Sequence, residues 1–278
     1  MELDLSSSDY HFIRGYELFK QRQFEEALKE FDIAIKLSPD NPDYHFFKGD
    51  AIFLLHRYEE GLKEFDIAIK LNPNNPVYHF LKGEALLALG RYEEGLKEFD
   101  IAIKLNPNNP VYHFLKGETF LRLNHYEDSI KEFDKAIELD SNNPVYYYSR
   151  GHVLFMMHHY EDSIKEFDKA IELDPNDPQY HYHKGEALLR LKRYEEALNS
   201  AQKAVELSPS DPYYLVLYVK LEADLGSPEK GIEKIKDLVT SRVSNRDKLC
   251  EKINRELKEV ALNEKEELAL MDIKIIIC

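Results

Sequence analysis

The sequence predicts an all-α protein of the α-solenoid class, a stack of helix pairs wound as a right-handed superhelix. Two observations carry this. Residues 57–84 recur letter for letter as residues 91–118, a shift of 34, and residues 126–140 recur as 160–174 at the same shift. Within each period, a set of helix-starting and helix-ending residues falls at fixed offsets. A fixed period of this length means that each unit is one supersecondary element, unable to bury its apolar surface alone and completed by its neighbours.

The period divides the chain into units 8–41, 42–75, 76–109, 110–143, 144–177 and 178–211, a degenerate unit 212–240, and a segment 241–278. An Asn or Asp precedes Pro42, Pro76, Pro110, Pro144, Pro178 and Pro212. Such a residue N-caps a helix, and proline suits the first turn, where its missing N–H has no intrahelical partner to lose. A helical stretch follows and is broken at His56, Gly90, Asn124 or His158. These residue types tolerate the left-handed conformation that ends a helix. Paired acids then open a second helix, as at Glu59-Glu60, Glu93-Glu94, Glu127-Asp128 and Glu161-Asp162, where they complement the positive end of the helix dipole. Leu96, Phe99, Ala102 and Ile103 follow at helical spacing, and prolines 39, 73, 107, 175 and 209 fall just past the end.

The repeats resemble the tetratricopeptide repeat. Gly15, Gly49, Gly83, Gly117, Gly151 and Gly185 stand at that family's close-packing glycine. Ala27, Gly61, Gly95, Ser129, Ser163 and Ala197 stand at its small second-helix position, Phe31, Phe65, Phe99, Phe133 and Phe167 at its aromatic, and Ala34, Ala68, Ala102, Ala136, Ala170 and Ala204 at its second small position. The chain departs from the pattern in four places. It has no tryptophan, and His11, His45, His79, His113 and His181, each preceded by Tyr, take that place. Lys or Arg stands before the glycine, as at Lys82 and Arg150. Ser141 replaces a loop proline. Val219 and Leu238 replace the small residues of the last unit, as terminal repeats often do.

Composition bounds the partners. Net charge is -15, from 37 Lys+Arg against 52 Asp+Glu, so a phosphate backbone is repelled and nucleic acid is not expected. The first ten residues hold neither a basic region nor an apolar run, so no signal peptide is expected. No apolar stretch approaches the ~20 residues that span a bilayer. The two cysteines, Cys250 and Cys278, make no disulfide framework. A soluble, cytoplasmic protein is expected. Residues 249–260 carry an apolar stripe and the chain ends on an apolar run, so 241–278 is read as a helical cap, or as a tail through which copies self-associate.

The resemblance implies that the first helices line a concave groove holding a peptide or a partner helix. The groove side chains would lie three before, one after and four after the repeat glycine. The first set is Phe12, Phe46, Phe80, Phe114, Tyr148 and Tyr182; the second is Tyr16, Asp50, Glu84, Glu118, His152 and Glu186; the third is Phe19, Phe53, Leu87, Leu121, Phe155 and Leu189. Offsets of four and seven share one helix face. The aromatic ladder is read either as a binding strip or as packing between repeats. Arg122 follows Glu118 by four residues and Arg190 follows Glu186, so each of these pairs can neutralise itself, whereas Asp50 and Glu84 are followed by Leu54 and Ala88. Phe46, Asp50, Phe80 and Glu84 are therefore the expected seat of an apolar and basic protein ligand. The lysine–asparagine clamp by which some relatives hold acidic C-termini would fall on Phe and acids here, so it is not expected. No catalytic motif, cofactor loop or metal-ligand spacing is present, and a non-enzymatic scaffold without cofactor or metal is expected. Protonation of the histidine ladder is expected to weaken the fold below about pH 6. The alternative function is structural self-assembly through the tail or the array ends.

Overall fold

The computed structural model describes residues 7–226, thirteen helices with no strand among them. The chain divides into two compact units at Ser141/Asn142, the one inter-repeat loop where serine stands in place of proline. The first unit holds α1 (Ser8–Lys20), α2 (Phe24–Leu37), α3 (Pro42–Leu54), α4 (Tyr58–Leu71), α5 (Pro76–Ala88), α6 (Tyr92–Leu105), α7 (Pro110–Arg122) and α8 (Tyr126–Leu139). The second holds α9 (Pro144–Met156), α10 (Tyr160–Leu173), α11 (Pro178–Arg190), α12 (Tyr194–Leu207) and α13 (Pro212–Asp224). In each unit every helix packs on the next, and successive first helices also touch: α1 with α3, α3 with α5 and α5 with α7, then α9 with α11 and α11 with α13. The degenerate unit beyond α13 and the proposed cap or tail, 241–278, lie outside the described residues.

Local chemistry sets the helix ends. The side-chain oxygens of Asn41, Asn75 and Asn109 each accept the N–H two residues on at 3.0 Å, and Asp177 does so at 2.9 Å. The first helices end in left-handed residues at His56, Gly90, Asn124 and His158, with φ of 61°, 72°, 58° and 63°. Behind Gly90 the Arg91 N–H closes back on the Leu86 carbonyl at 2.9 Å, satisfying a carbonyl the helix leaves open. Arg22 and Lys192 adopt the same conformation (φ 62° and 60°) although neither residue type favours it. There the packing of the helix pair, rather than residue preference, imposes the turn.

The core follows the repeat. Phe31, Phe65, Phe99, Phe133 and Phe167 are fully buried, each lying against the glycine of its own first helix. A Cβ at Gly83 would stand 2.6 Å from the Phe99 ring, inside any real carbon contact. In the sixth repeat Ala201 replaces this Phe, and a Cβ at Gly185 would first meet Leu217 at 3.3 Å. The Tyr before four of the ladder histidines is core as well: Tyr44, Tyr78, Tyr112 and Tyr180 are buried, as is Tyr146 at the same position of the fifth repeat, with the Tyr44 hydroxyl donating to Asp9 at 2.6 Å. Val219, in the glycine position of α13, is fully buried.

The family's apolar positions filled here by His and Lys are explained by one repeated network. His11, His45, His79 and His113 meet Glu30, Glu64, Glu98 and Glu132 on the second helix of the same repeat, all at 2.7 Å. Lys82, before the glycine, bridges Glu98 at 2.7 Å and Asp66 of the preceding second helix at 2.9 Å; Lys48 and Lys116 do the same one repeat either side. The histidine ladder is therefore hydrogen-bonded in place of bulky packing. The Nε2 atoms of His45 and His79 also face the carbonyls of Pro39 and Pro73, at 3.0 and 3.1 Å. In the sixth repeat Ser200 takes the Glu position, leaving His181 with the Pro175 carbonyl, and burial lowers its pKa.

Candidate functional site

Contact between successive first helices makes one continuous face in each unit. In the first unit the aromatic ladder is a set of packing rungs. Phe12 lies on Tyr44 at 4.9 Å, Phe46 on Tyr78 at 4.8 Å and Phe80 on Tyr112 at 4.9 Å, ring centre to ring centre. Phe46, Phe80 and Phe114 also touch the second-helix Phe of their own repeat, at 6.2, 6.0 and 5.8 Å. Phe46 is buried, and Phe12, Phe80 and Phe114 are half-buried. Phe12, Phe46 and Phe80 are each clasped between the second helix of their own repeat and the next repeat's Tyr, as the packing reading of the ladder requires. In the second unit Tyr148 and Tyr182 lie likewise on Tyr180 and Tyr214, both at 5.1 Å.

The position after the glycine is where the face opens. Tyr16 is exposed, meets Phe47 edge to face at 5.1 Å and is capped by Lys20 at 4.8 Å. Asp50 and Glu84, one repeat apart, are half-buried and make no hydrogen bond or ion pair with any described residue. Burial raises the Asp50 carboxyl to about 6. Burial, then the charge of Asp50, raises that of Glu84 to about 7. Two neighbouring carboxylates are held out of water without a cation. Phe53 packs on Tyr58, and Leu87 shares a pocket of about 390 Å3 with Phe114, Glu118 and Arg122.

In the second unit the same face is imidazole-rich. His152 and His183 meet edge to face at 5.5 Å, with Tyr148 5.5 Å from His183. His183 Nδ1 lies 3.1 Å from Glu186, which takes this partner rather than the expected Arg190. Burial first and the neighbouring His183 second lower the pKa of His152, against the pull of Glu186. A second pocket, of about 590 Å3, lies between α11 and α13, lined by Tyr182, Glu186, Leu189 and Leu217 among others. His183 was not among the expected site residues. Its signal was a histidine where Phe47, Leu81 and Leu115 stand in earlier repeats. Among the described residues no three His, Cys, Asp or Glu side chains gather to hold a metal ion, and no helix is long and apolar enough to cross a membrane.

Comparison with known proteins agrees with this architecture. A sequence model of the tetratricopeptide repeat matches residues 14–76, 80–144 and 148–212, more than half of the chain. No curated protein matches the sequence. Among solved structures, a tetratricopeptide repeat protein from Parabacteroides merdae is 14% identical with a TM-score of 0.67, over 96% of this chain and 98% of its own. Pseudomonas aeruginosa pilF is 16% identical with a TM-score of 0.64, over 74% and 94%. YrrB, described as a TPR protein with an unusual peptide-binding site, is 19% identical with a TM-score of 0.57, over 66% and 95%. At these identities the structures share the fold alone. With a repeat every 34 residues, a glycine beneath a buried Phe in five successive repeats and the family sequence model matched along most of its length, the chain belongs to the tetratricopeptide repeat family.

Proposed function

We propose that this protein is a non-enzymatic, cytoplasmic scaffold that binds a protein segment on its first-helix face, with a lysine or arginine of that segment seated between Asp50 and Glu84. The observation that carries the reading is the pair of half-buried carboxylates on adjacent repeats with no cation of their own. Leaving two such groups together is unfavourable unless something neutralises them, by proton or by ligand. A cationic side chain would restore both charges, while the half-buried edges of Phe80 and Leu87 would accept apolar neighbours. The net charge of -15 supports a basic ligand over a nucleic acid.

The test is calorimetric titration with short synthetic peptides carrying one lysine among apolar residues, against the same peptides with norleucine. Wild type should prefer lysine, and Asp50→Asn/Glu84→Gln should lose that preference by at least about tenfold. Lysine binding should also weaken as pH falls through about 7 and about 6, where the two carboxyls take up protons. Equal affinity of both proteins for both peptides would remove the site.

A further inference from the structure

The second helices of the first three repeats carry a surface that the first-helix reading leaves unused. Lys29, Ile33, Lys36 and Leu37 on α2 recur as Lys63, Ile67, Lys70 and Leu71 on α4 and as Lys97, Ile101, Lys104 and Leu105 on α6. Residues at offsets of four, seven and eight share one face of a helix. Ile33, Ile67 and Ile101 are 39%, 39% and 38% exposed, and Leu37 is 51% exposed. One exposed isoleucine is ordinary; three in register across consecutive repeats make a column.

Charge sets this column apart. All six lysines are exposed, and none forms an ion pair with a described residue. Several acids of these helices are engaged by other cations: Asp66 and Glu98 share Lys82, while Glu60 and Glu94 bind Arg57 and Arg91. Lys63 and Lys97 stand on a groove of about 410 Å3 between α4 and α6, whose apolar lining is Leu62 and Leu86.

The later repeats provide the internal control. On α8 the isoleucine position is Lys135 and the second lysine position is Glu138, joined at 2.7 Å, and Lys131 closes on Asp128 at 2.9 Å. On α10 Lys169 closes on Glu172 at 2.8 Å and Lys165 on Asp162 at 2.7 Å. At identical positions of one chain, then, two helices neutralise their own charges and three present an apolar column between two columns of unpaired cations.

We propose that the outer face of α2, α4 and α6 is a second docking surface, and that its occupant is an acidic amphipathic helix of a partner protein. The partner's apolar stripe would lie on the isoleucine column and its flanking glutamates on the two lysine columns. Complementary charge on both sides fixes the orientation of such a helix, and the apolar column supplies its affinity. A flat anionic bilayer fits less well, because the chain's net charge of -15 repels it as a whole.

The probe is a fluorescein-labelled synthetic helix of about five turns, with leucines on one face and glutamates along both edges. Its control has glutamine for every glutamate. The variant writes the α8 pattern into the three helices: Ile33→Lys, Lys36→Glu, Ile67→Lys, Lys70→Glu, Ile101→Lys and Lys104→Glu. These are surface positions with a pattern the chain already carries, so circular dichroism should be unchanged. By fluorescence anisotropy, wild type should bind the acidic helix, and the variant and the glutamine control should each weaken binding at least about tenfold. Added salt should weaken it too. The milder Lys63→Ala/Lys97→Ala change, which keeps the apolar column, should lose affinity a few-fold, and Asp50→Asn/Glu84→Gln should leave it unchanged. Equal binding by the six-fold variant and wild type, or no binding by wild type, would overturn the proposal. So would failure to bind the helix together with co-sedimentation on phosphatidylcholine vesicles carrying about one-fifth phosphatidylserine.

Discussion

The first and second units place opposite chemistry at the same point of the same helix. After the repeat glycine the second and third repeats, in the first unit, have Asp50 and Glu84, half-buried with no cation; the fifth repeat, in the second unit, has His152, half-buried beside His183. Burial penalises the charged form in both cases, but the charged form is an anion in one and a cation in the other. The carboxyls are pushed up and the imidazole is pushed down. One fold position can thus be tuned to prefer protons or to refuse them, with the backbone unchanged. The units differ in packing as well, since the Phe that lies on the glycine in five repeats is Ala201 in the sixth.

The packing contrast should give the largest effect. Gly83→Ala drives a methyl into the Phe99 ring, and overpacking of this kind costs about 1–3 kcal/mol. Gly185→Ala meets Leu217 at 3.3 Å and the backbone of Ala197 and Ala201 at 3.4 and 3.5 Å, all far looser than the contact at Gly83, and the helix gains about 0.5–1 kcal/mol from losing a glycine. Urea unfolding followed by circular dichroism should show a marked loss for the first and little change or a gain for the second. Equal losses would mean that Ala201 has not relaxed the sixth repeat.

The acid pair comes next. The Glu84 carboxyl rises from 4.5 to about 7 in the folded state, so the native protein holds more protons than the unfolded chain between those values. Its contribution therefore turns unfavourable as pH rises through that window. Glu84→Gln should stabilise the protein on the order of 1–2 kcal/mol at pH above about 7, after discounting for the group's remaining solvent contact, and the gain should vanish near pH 4.5. A variant less stable than wild type at every pH would mean that Glu84 has a favourable partner.

The smallest effect should come from His152, and its pH dependence should run the other way. A histidine kept neutral in the fold loses stability as pH falls through the unfolded value of 6.5, because the unfolded chain gains the proton first. His152→Gln should therefore gain on wild type below that pH, by under about 1 kcal/mol, and differ little above it. The difference between the two unfolding free energies across the pH range reads this directly. A flat difference would place His152 in solvent.

Several features of the candidate site were legible before the fold. Glu84 and Asp50 stood out because Ala88 and Leu54 follow them where Arg follows Glu118 and Glu186. Spacing alone was misleading for Arg190: Glu186 meets His183 instead, because a packed neighbour competes with an exposed flexible side chain for the same carboxylate. The aromatic ladder was visible in the sequence, but its use was not. Phe46 is exposed or buried according to whether Tyr78 of the next repeat lies on it, a contact spanning 32 residues.

By itself, the sequence determined the period, the capped helix starts and the glycine-over-phenylalanine packing, because each depends on residues close along the chain or on exact repetition. Only the tertiary structure decided that Lys82 bridges two second helices, that His79 is held by Glu98, and that Asp50 and Glu84 share one half-buried patch. It alone showed that the lysines flanking Ile67 make no ion pair with a described residue while Lys135 closes on Glu138. The physical reason is that desolvation and charge pairing depend on what lies across the space between helices, and identical letters repeated down a chain meet different neighbours there.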